Sequence, residues 1–142
     1  MDLAFKYIES NPLELEGDYP YKGHEQSCAF DKKKAEGKVT TFVDVAQGSP
    51  AQLKAALAKG PVSVAIEADQ SAFQFYTSGV LTTGCGQQLD HGVLAVGYGV
   101  EDGVEYFLVK NSWGPSWGDD GYVRIGTNNV CGILQSASYP SE

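Results

Sequence analysis

Two stretches decide the fold: "LDHGVLAVGYG" (Leu89–Gly99) and "YFLVKNSWGPSWG" (Tyr106–Gly118). Each carries the β-branched and aromatic residues of a strand, and "VEDG" (Val100–Gly103) between them has turn chemistry. Together they read as one β-hairpin. With the turn centred near Glu101–Asp102, the paired residue numbers sum to about 203–204. His91, one of only two histidines, then lies opposite Ser112 or Trp113. Within a slip of one or two residues, His91 and Asn111 are neighbours at the open end of the hairpin. Cross-strand neighbours sit about 5 Å apart at Cβ, so an asparagine carbonyl can reach an imidazole nitrogen. Such a bond fixes the ring's tautomer and orientation, which a general base requires. The plainer reading is a surface or core histidine beside core aromatics. Trp113 and Trp117 fit that reading, and they equally fit shields that keep water from a polar pair.

Outward from the hairpin, three strands are expected at about 91–99, 104–110 and 121–126. "VSVAIEA" (Val62–Ala68) alternates Val62, Val64 and Ile66 inward and reads as a half-buried strand. "GSPAQLKAALAKGP" (Gly48–Pro61) is a marked helix, with Ser49 at the cap, Pro50 in the first turn and Gly60-Pro61 at the stop. "GKVTTFVDV" (Gly37–Val45) reads as a strand, and "QSAFQFY" (Gln70–Tyr76) as a short helical turn. At the N-terminus, "MDLAFKYIES" carries apolar residues at 1, 4, 5 and 8, the stripe of a helix that Pro12 closes. Residues 11–38 are polar and turn-rich, and they read as a connection between two subregions. The order of helix, then strands around one packed helix, is an α+β pattern. It divides the chain into residues 1–38 and 39–142. The stripe of the first helix needs a second layer that residues 11–38 do not clearly supply.

The chain has 142 residues, 42% hydrophobic and 20% charged, which suits one globular domain rather than a disordered segment. Eighteen acidic residues against ten basic give a net charge of -8. That balance disfavours nucleic acid, whose phosphates need a basic face. No apolar run approaches the roughly 18 residues of a membrane span. Met1-Asp2 leads straight into an amphipathic pattern without a secretory leader. A chain of this kind is expected either to stay inside the cell or to have its beginning elsewhere. Cys28, Cys85 and Cys131 match no zinc spacing, and no metal site is expected. An odd number of cysteines leaves one thiol unpaired or paired to a partner elsewhere. "GYG" has no helix after it, which argues against a nucleotide site.

"LDHGVLAVGYG", "YFLVKNSWGPSWGDDGYVRI" and "CGILQSASYP" (Cys131–Pro140) resemble the papain-like cysteine peptidases, close to the cathepsin L branch. "MDLAFKYIES" and "GDYPYKGHEQSC" (Gly17–Cys28) resemble the segments that precede them in that family, and the match is collinear to about residue 140. The resemblance implies a papain-like α+β fold, incomplete here: an antiparallel, barrel-like right domain plus a remnant helix of the helical left domain. It implies His91 as the catalytic imidazole, Asn111 as the residue that orients it, and Trp113 as the indole covering the pair. Trp117 matches a wall on the leaving-group side of the cleft. Met1, Ala68, Leu89 and Ser136 match positions lining the S2 pocket, and the backbone of Asp90 matches a contact to bound peptide. Cys85 and Cys131 match a disulfide of the family, and Cys28 matches one half of another. No metal or organic cofactor is implied. The substrates implied are polypeptides, and the compartment lysosomal or extracellular.

The family's nucleophilic cysteine lies in a C-G-[SA]-C-[WY] segment, about 130–150 residues before the histidine and asparagine, which places it about 40–60 residues before Met1. The glutamine of the oxyanion hole lies further upstream. The chain alone is therefore expected to be inactive, and a missing N-terminal segment or chain would supply the thiol. Cys28 is a poor substitute, because it sits in a polar loop with no helix N-terminus evident to activate it. The alternative is a non-catalytic peptidase remnant that binds peptides or a partner protein.

Overall fold

The structure, a computed structural model, describes residues 1–141. The chain divides into two compact units. The first holds residues 1–43 and the C-terminal end from Pro140; the second holds Asp44–Tyr139.

In the first unit, α1 spans Asp2–Ser10. Asp2 sits in its first turn, where the helix dipole favours negative charge. Asn11 ends it, donating both its backbone N–H and its side-chain Nδ2 to the Tyr7 carbonyl, and Pro12 cannot continue it. No residue of α1 is fully buried, and Leu3 is 82% exposed. Phe5 does find a partner: its ring stacks on Phe42 with centroids 5.7 Å apart. β1 (Leu13–Glu14) and β2 (Ala35–Gly37) form a small antiparallel ribbon across the polar connection. Side chains tie the loops between them, with Tyr19 Oη accepting from Ala29 N and Glu14 Oε2 from Asp31 N. β3 (Thr41–Asp44) follows.

The second unit holds the core. α2 (Pro50–Leu57) begins where the sequence indicates: Ser49 Oγ accepts from Gln52 N at 3.3 Å, and Pro50 occupies the first position. It buries Leu53, Ala56 and Leu57. β4 (Val62–Ile66) alternates as read, with Val62, Val64 and Ile66 wholly buried. α3 (Ser71–Gln74) is the short turn read in "QSAFQFY". Then come β5 (Val80–Leu81), β6 (His91–Glu101), β7 (Val104–Lys110), β8 (Tyr122–Gly126) and β9 (Ala137–Ser141). Within this unit the sheet runs β9-β4-β6-β7-β8-β5. It stays open, and its β5–β8 pair is parallel where antiparallel strands alone were expected. β5 precedes the β6–β7 hairpin, so it reaches β8 by a crossover rather than a turn.

The hairpin turn is Asp102-Gly103, one residue later than read. Glu101 pairs with Val104, and the two turn residues have φ of 50° and 79°. An Asp-Gly pair takes this left-handed geometry, which matches the twist of the strands. Pairing sums run at 205 beside the turn and 204 after an irregularity between Ala95 and Gly97 (Glu101↔Val104, Leu94↔Lys110). That shift brings His91, the first residue of β6, level with the segment just after β7.

Cys85 and Cys131 are bonded, and Cys28 is free and exposed. The bridge ties the loop before β6 to the turn after β8. There Asn129 and Cys131 both hold a left-handed backbone with φ 54°.

Candidate active site

His91 and Asn111 meet at the open end of the hairpin. His91 Nε2 lies 2.8 Å from Asn111 Oδ1. β4 holds the histidine from one side, pairing Ile66 with His91. Asn111 is held by its backbone N–H, which donates to Gly121 O at 3.0 Å, and it is only 7% exposed. The amide orientation follows from a second contact: Ser112 N donates to the same Oδ1 at 2.8 Å. An N–H requires an acceptor, so the atom facing both partners is the oxygen. An oxygen has no proton to give, so His91 Nε2 is the donor of the pair. A neutral imidazole with its proton on Nε2 keeps a bare lone pair on Nδ1. The geometry therefore prepares one nitrogen to accept a proton.

Aromatic rings cover the pair. Trp113 stacks on the His91 ring, with centroids 5.2 Å apart and planes at 27°. Trp117 meets Trp113 edge-on at 5.3 Å. Beneath both lies Phe73, fully buried, 5.5 Å from Trp113 and 5.0 Å from Trp117. Contacts of this kind contribute about 0.5–1.5 kcal/mol per pair beyond burial. Trp117 Nε1 donates to Gln74 O at 2.9 Å, which hooks α3 to the cluster. Tyr76 extends it, 6.0 Å from Trp117. Its hydroxyl donates to Gly79 O at 2.6 Å and lies 3.4 Å from Arg124 N. Burial pushes the Tyr76 phenol above its usual value; Asp119 and Glu101 push the same way, and Arg124 opposes.

Asp90, just before His91, is pinned twice: its carboxylate accepts from Ala68 N at 2.8 Å, and its N–H donates to Ile66 O at 3.0 Å. Leu89 is half-buried, and a Cβ added at Gly132 would come within 2.7 Å of its Cδ2. Ser136 is half-buried, and its carbonyl accepts from Ala65 N at 2.9 Å. The structure thus brings Ser136 beside half-buried Ala65, while Ala68 goes to Asp90 and is 4% exposed. Met1 lies in the first unit, half-buried, its carbonyl accepting from Ala4 and Phe5 N–H. Among the described residues, no group of three or more His, Cys, Asp or Glu side chains is placed to hold a metal ion. No helix among them is long and apolar enough to cross a membrane.

Ser112 N–H, Ala65 and Phe73, which the structure sets beside the residues read from sequence, were not singled out there. A backbone amide carries no signature in sequence. Ala65 is hidden by strand alternation, which marks it only as facing away from the core. Phe73 is visible as an apolar residue of "AFQFY", but its two tryptophan partners lie some forty positions away (Trp113, Trp117) and only folding joins them.

Comparison with known proteins gives a consistent result. The sequence pattern of the family described as "Papain family cysteine protease" matches residues 1–141. The chain is 48% identical to cathepsin L of Sarcophaga peregrina, over 99% of this chain and 44% of that protein. It is 49% identical to the probable cysteine protease RD21B of Arabidopsis thaliana, over 99% of this chain and 32% of that one. Among solved structures, the digestive procathepsin L 3 of the Tenebrio molitor larval midgut superposes with a TM-score of 0.95 at 41% identity. That match covers all of this chain and 48% of the other. The chain thus spans less than half the length of these relatives.

Proposed function

The chain belongs to the papain family of cysteine proteases, and from that premise we propose that it carries the proton-transfer half of a thiol-dependent peptide hydrolysis. The observation that supports this reading is the Nε2–H···Oδ1 bond between His91 and Asn111, with Ser112 N–H fixing the amide. In the proposed reaction, a cysteine thiol from a segment outside these residues gives its proton to His91 Nδ1. The resulting thiolate–imidazolium pair makes the sulfur nucleophilic at neutral pH. Sulfur attacks the peptide carbonyl carbon, the C–N bond breaks, and His91 returns the proton to the departing amine. Water then attacks the thioester, His91 taking its proton, and the acid and the thiol are released. Asn111 keeps the ring turned, and Trp113 keeps water from the bond.

The proposed substrates are polypeptides. Leu89 and Ser136 would line a pocket for an apolar or aromatic side chain. Half-buried Ala65 beside Ser136 is a better wall than Ala68, which has little surface left to offer. Asp90 would present its backbone to the peptide, and Trp117 would border the leaving group. The proposed compartment is lysosomal or extracellular, and Cys28 would pair with the segment that brings the nucleophile.

A second reading rests on one observation: the free thiol of the described residues is Cys28, an exposed loop residue of the first unit. By itself the chain would then bind peptide without cleaving it. Assay of the isolated chain with a fluorogenic dipeptidyl substrate tests whether it needs a thiol from outside. We expect no turnover above buffer. Turnover that disappears in His91→Ala would show that the chain needs no outside thiol.

A further inference from the structure

Glu67 is the one acidic side chain among the described residues that is buried, at 6% exposure. It takes no part in the chemistry above, and none of the ion pairs of the described residues includes it. Its Oε1 accepts from Gln70 Nε2 at 3.2 Å, an amide that it shares with Asp69 Oδ1 at 2.8 Å. Its Oε2 is sealed from solvent and has no hydrogen-bond partner. Burying an oxygen with no partner among the protein atoms is costly, so its position calls for a structural reason. The Oε2 atom lies against Gly86: a Cβ added there would be 2.6 Å away. Gly86 thus lacks a side chain where the carboxylate needs the space.

The surroundings show what this contact holds. Gly86 follows Cys85, which is bonded to Cys131, and the Cys131 carbonyl accepts from Glu67 N at 2.8 Å. One residue on, Ala68 N donates to the Asp90 carboxylate. The loop from Cys85 to Asp90 is therefore gripped at its start by the disulfide and at its end by Ala68. Just after the disulfide, Gly86 rests on the Glu67 carboxylate, and His91 follows the loop directly. We propose that Glu67 is a positioning residue: its buried carboxylate, set beneath Gly86, fixes the loop that delivers Asp90 and His91 and so holds the imidazole against Asn111.

The proposal rests on His91 as the proton carrier, but its test needs no turnover, so the two readings fail separately. The measurement is the ¹⁵N spectrum of the His91 ring in the whole labelled chain, with His91→Ala assigning the signals against His24. A single Nε2–H tautomer gives one protonated and one bare nitrogen with well-separated signals. In Gly86→Ala the new methyl meets the carboxylate, the loop shifts, and the two signals move toward a common value. Glu67→Ala, which removes the support, does the same. Glu67→Gln keeps the shape and retains the separation. In the double variant Glu67→Ala/Gly86→Ala the methyl fills the vacated space, and the separation returns at least in part. His91 signals unchanged in folded Gly86→Ala would overturn the proposal. So would a double variant no closer to wild type than Gly86→Ala alone. If Gly86→Ala does not fold, Glu67→Ala decides: collapse of the separation supports the proposal, and unchanged signals overturn it.

Discussion

At the scale of single residues, the site depends on which atoms carry protons. Asn111 Oδ1 accepts twice, and that double acceptance sets the His91 tautomer. The pairing of His91 with Asn111 is legible in the sequence, because a hairpin register brings two numbered positions together. The reason the pair has a defined polarity is not legible, since Ser112 contributes only its backbone. Tyr76 offers a test at this scale. Burial raises its folded pKa above the ordinary 10.0, so the neutral phenol is favoured by the fold. That contribution is fully present below the unfolded value and is lost as pH rises through the folded one. Urea unfolding measured across a pH series should show stability falling once the pH passes about 10. Tyr76→Phe, which cannot ionise, should flatten that fall while lowering stability at neutral pH by about 1 kcal/mol for the lost hydrogen bond to Gly79. An equally steep fall in Tyr76→Phe would place the titration elsewhere.

At the scale of elements, the hairpin shows how a near miss in register arises. The sequence points to a turn at Glu101–Asp102, whereas Asp102-Gly103 forms it. Only a glycine, or a short polar residue such as aspartate, readily takes the left-handed backbone such a turn needs. Gly103, with φ 79°, should therefore resist substitution. Gly103→Ala is expected to cost about 1–2 kcal/mol by chemical denaturation, although no atom stands within 4 Å of the added methyl. A neutral effect would mean that the turn is held by the strands alone. α2, β4 and β7 were readable because caps, stops and alternation agreed. β5 and β9 were not: one is two residues long, and the other contains Pro140, which reads as a turn.

At the scale of the molecule, α1 is the informative element. Its apolar stripe predicts a helix, and the helix forms, yet none of its residues is fully buried. An amphipathic helix gains most of its stability by burying one face, so α1 draws little from the described residues beyond the Phe5–Phe42 stack. That fits a chain spanning 44% of one relative and 32% of another. In the proposed function, His91, held by Asn111, transfers the proton for a thiol that comes from outside this chain. The most direct test joins the chain to the preceding portion of the Sarcophaga peregrina cathepsin L and measures hydrolysis of a fluorogenic peptide. The account predicts turnover in the joined protein, a loss of about 10²–10⁴-fold in His91→Ala, and a smaller loss in Asn111→Ala. A folded, active joined protein whose rate is unchanged by His91→Ala would contradict it.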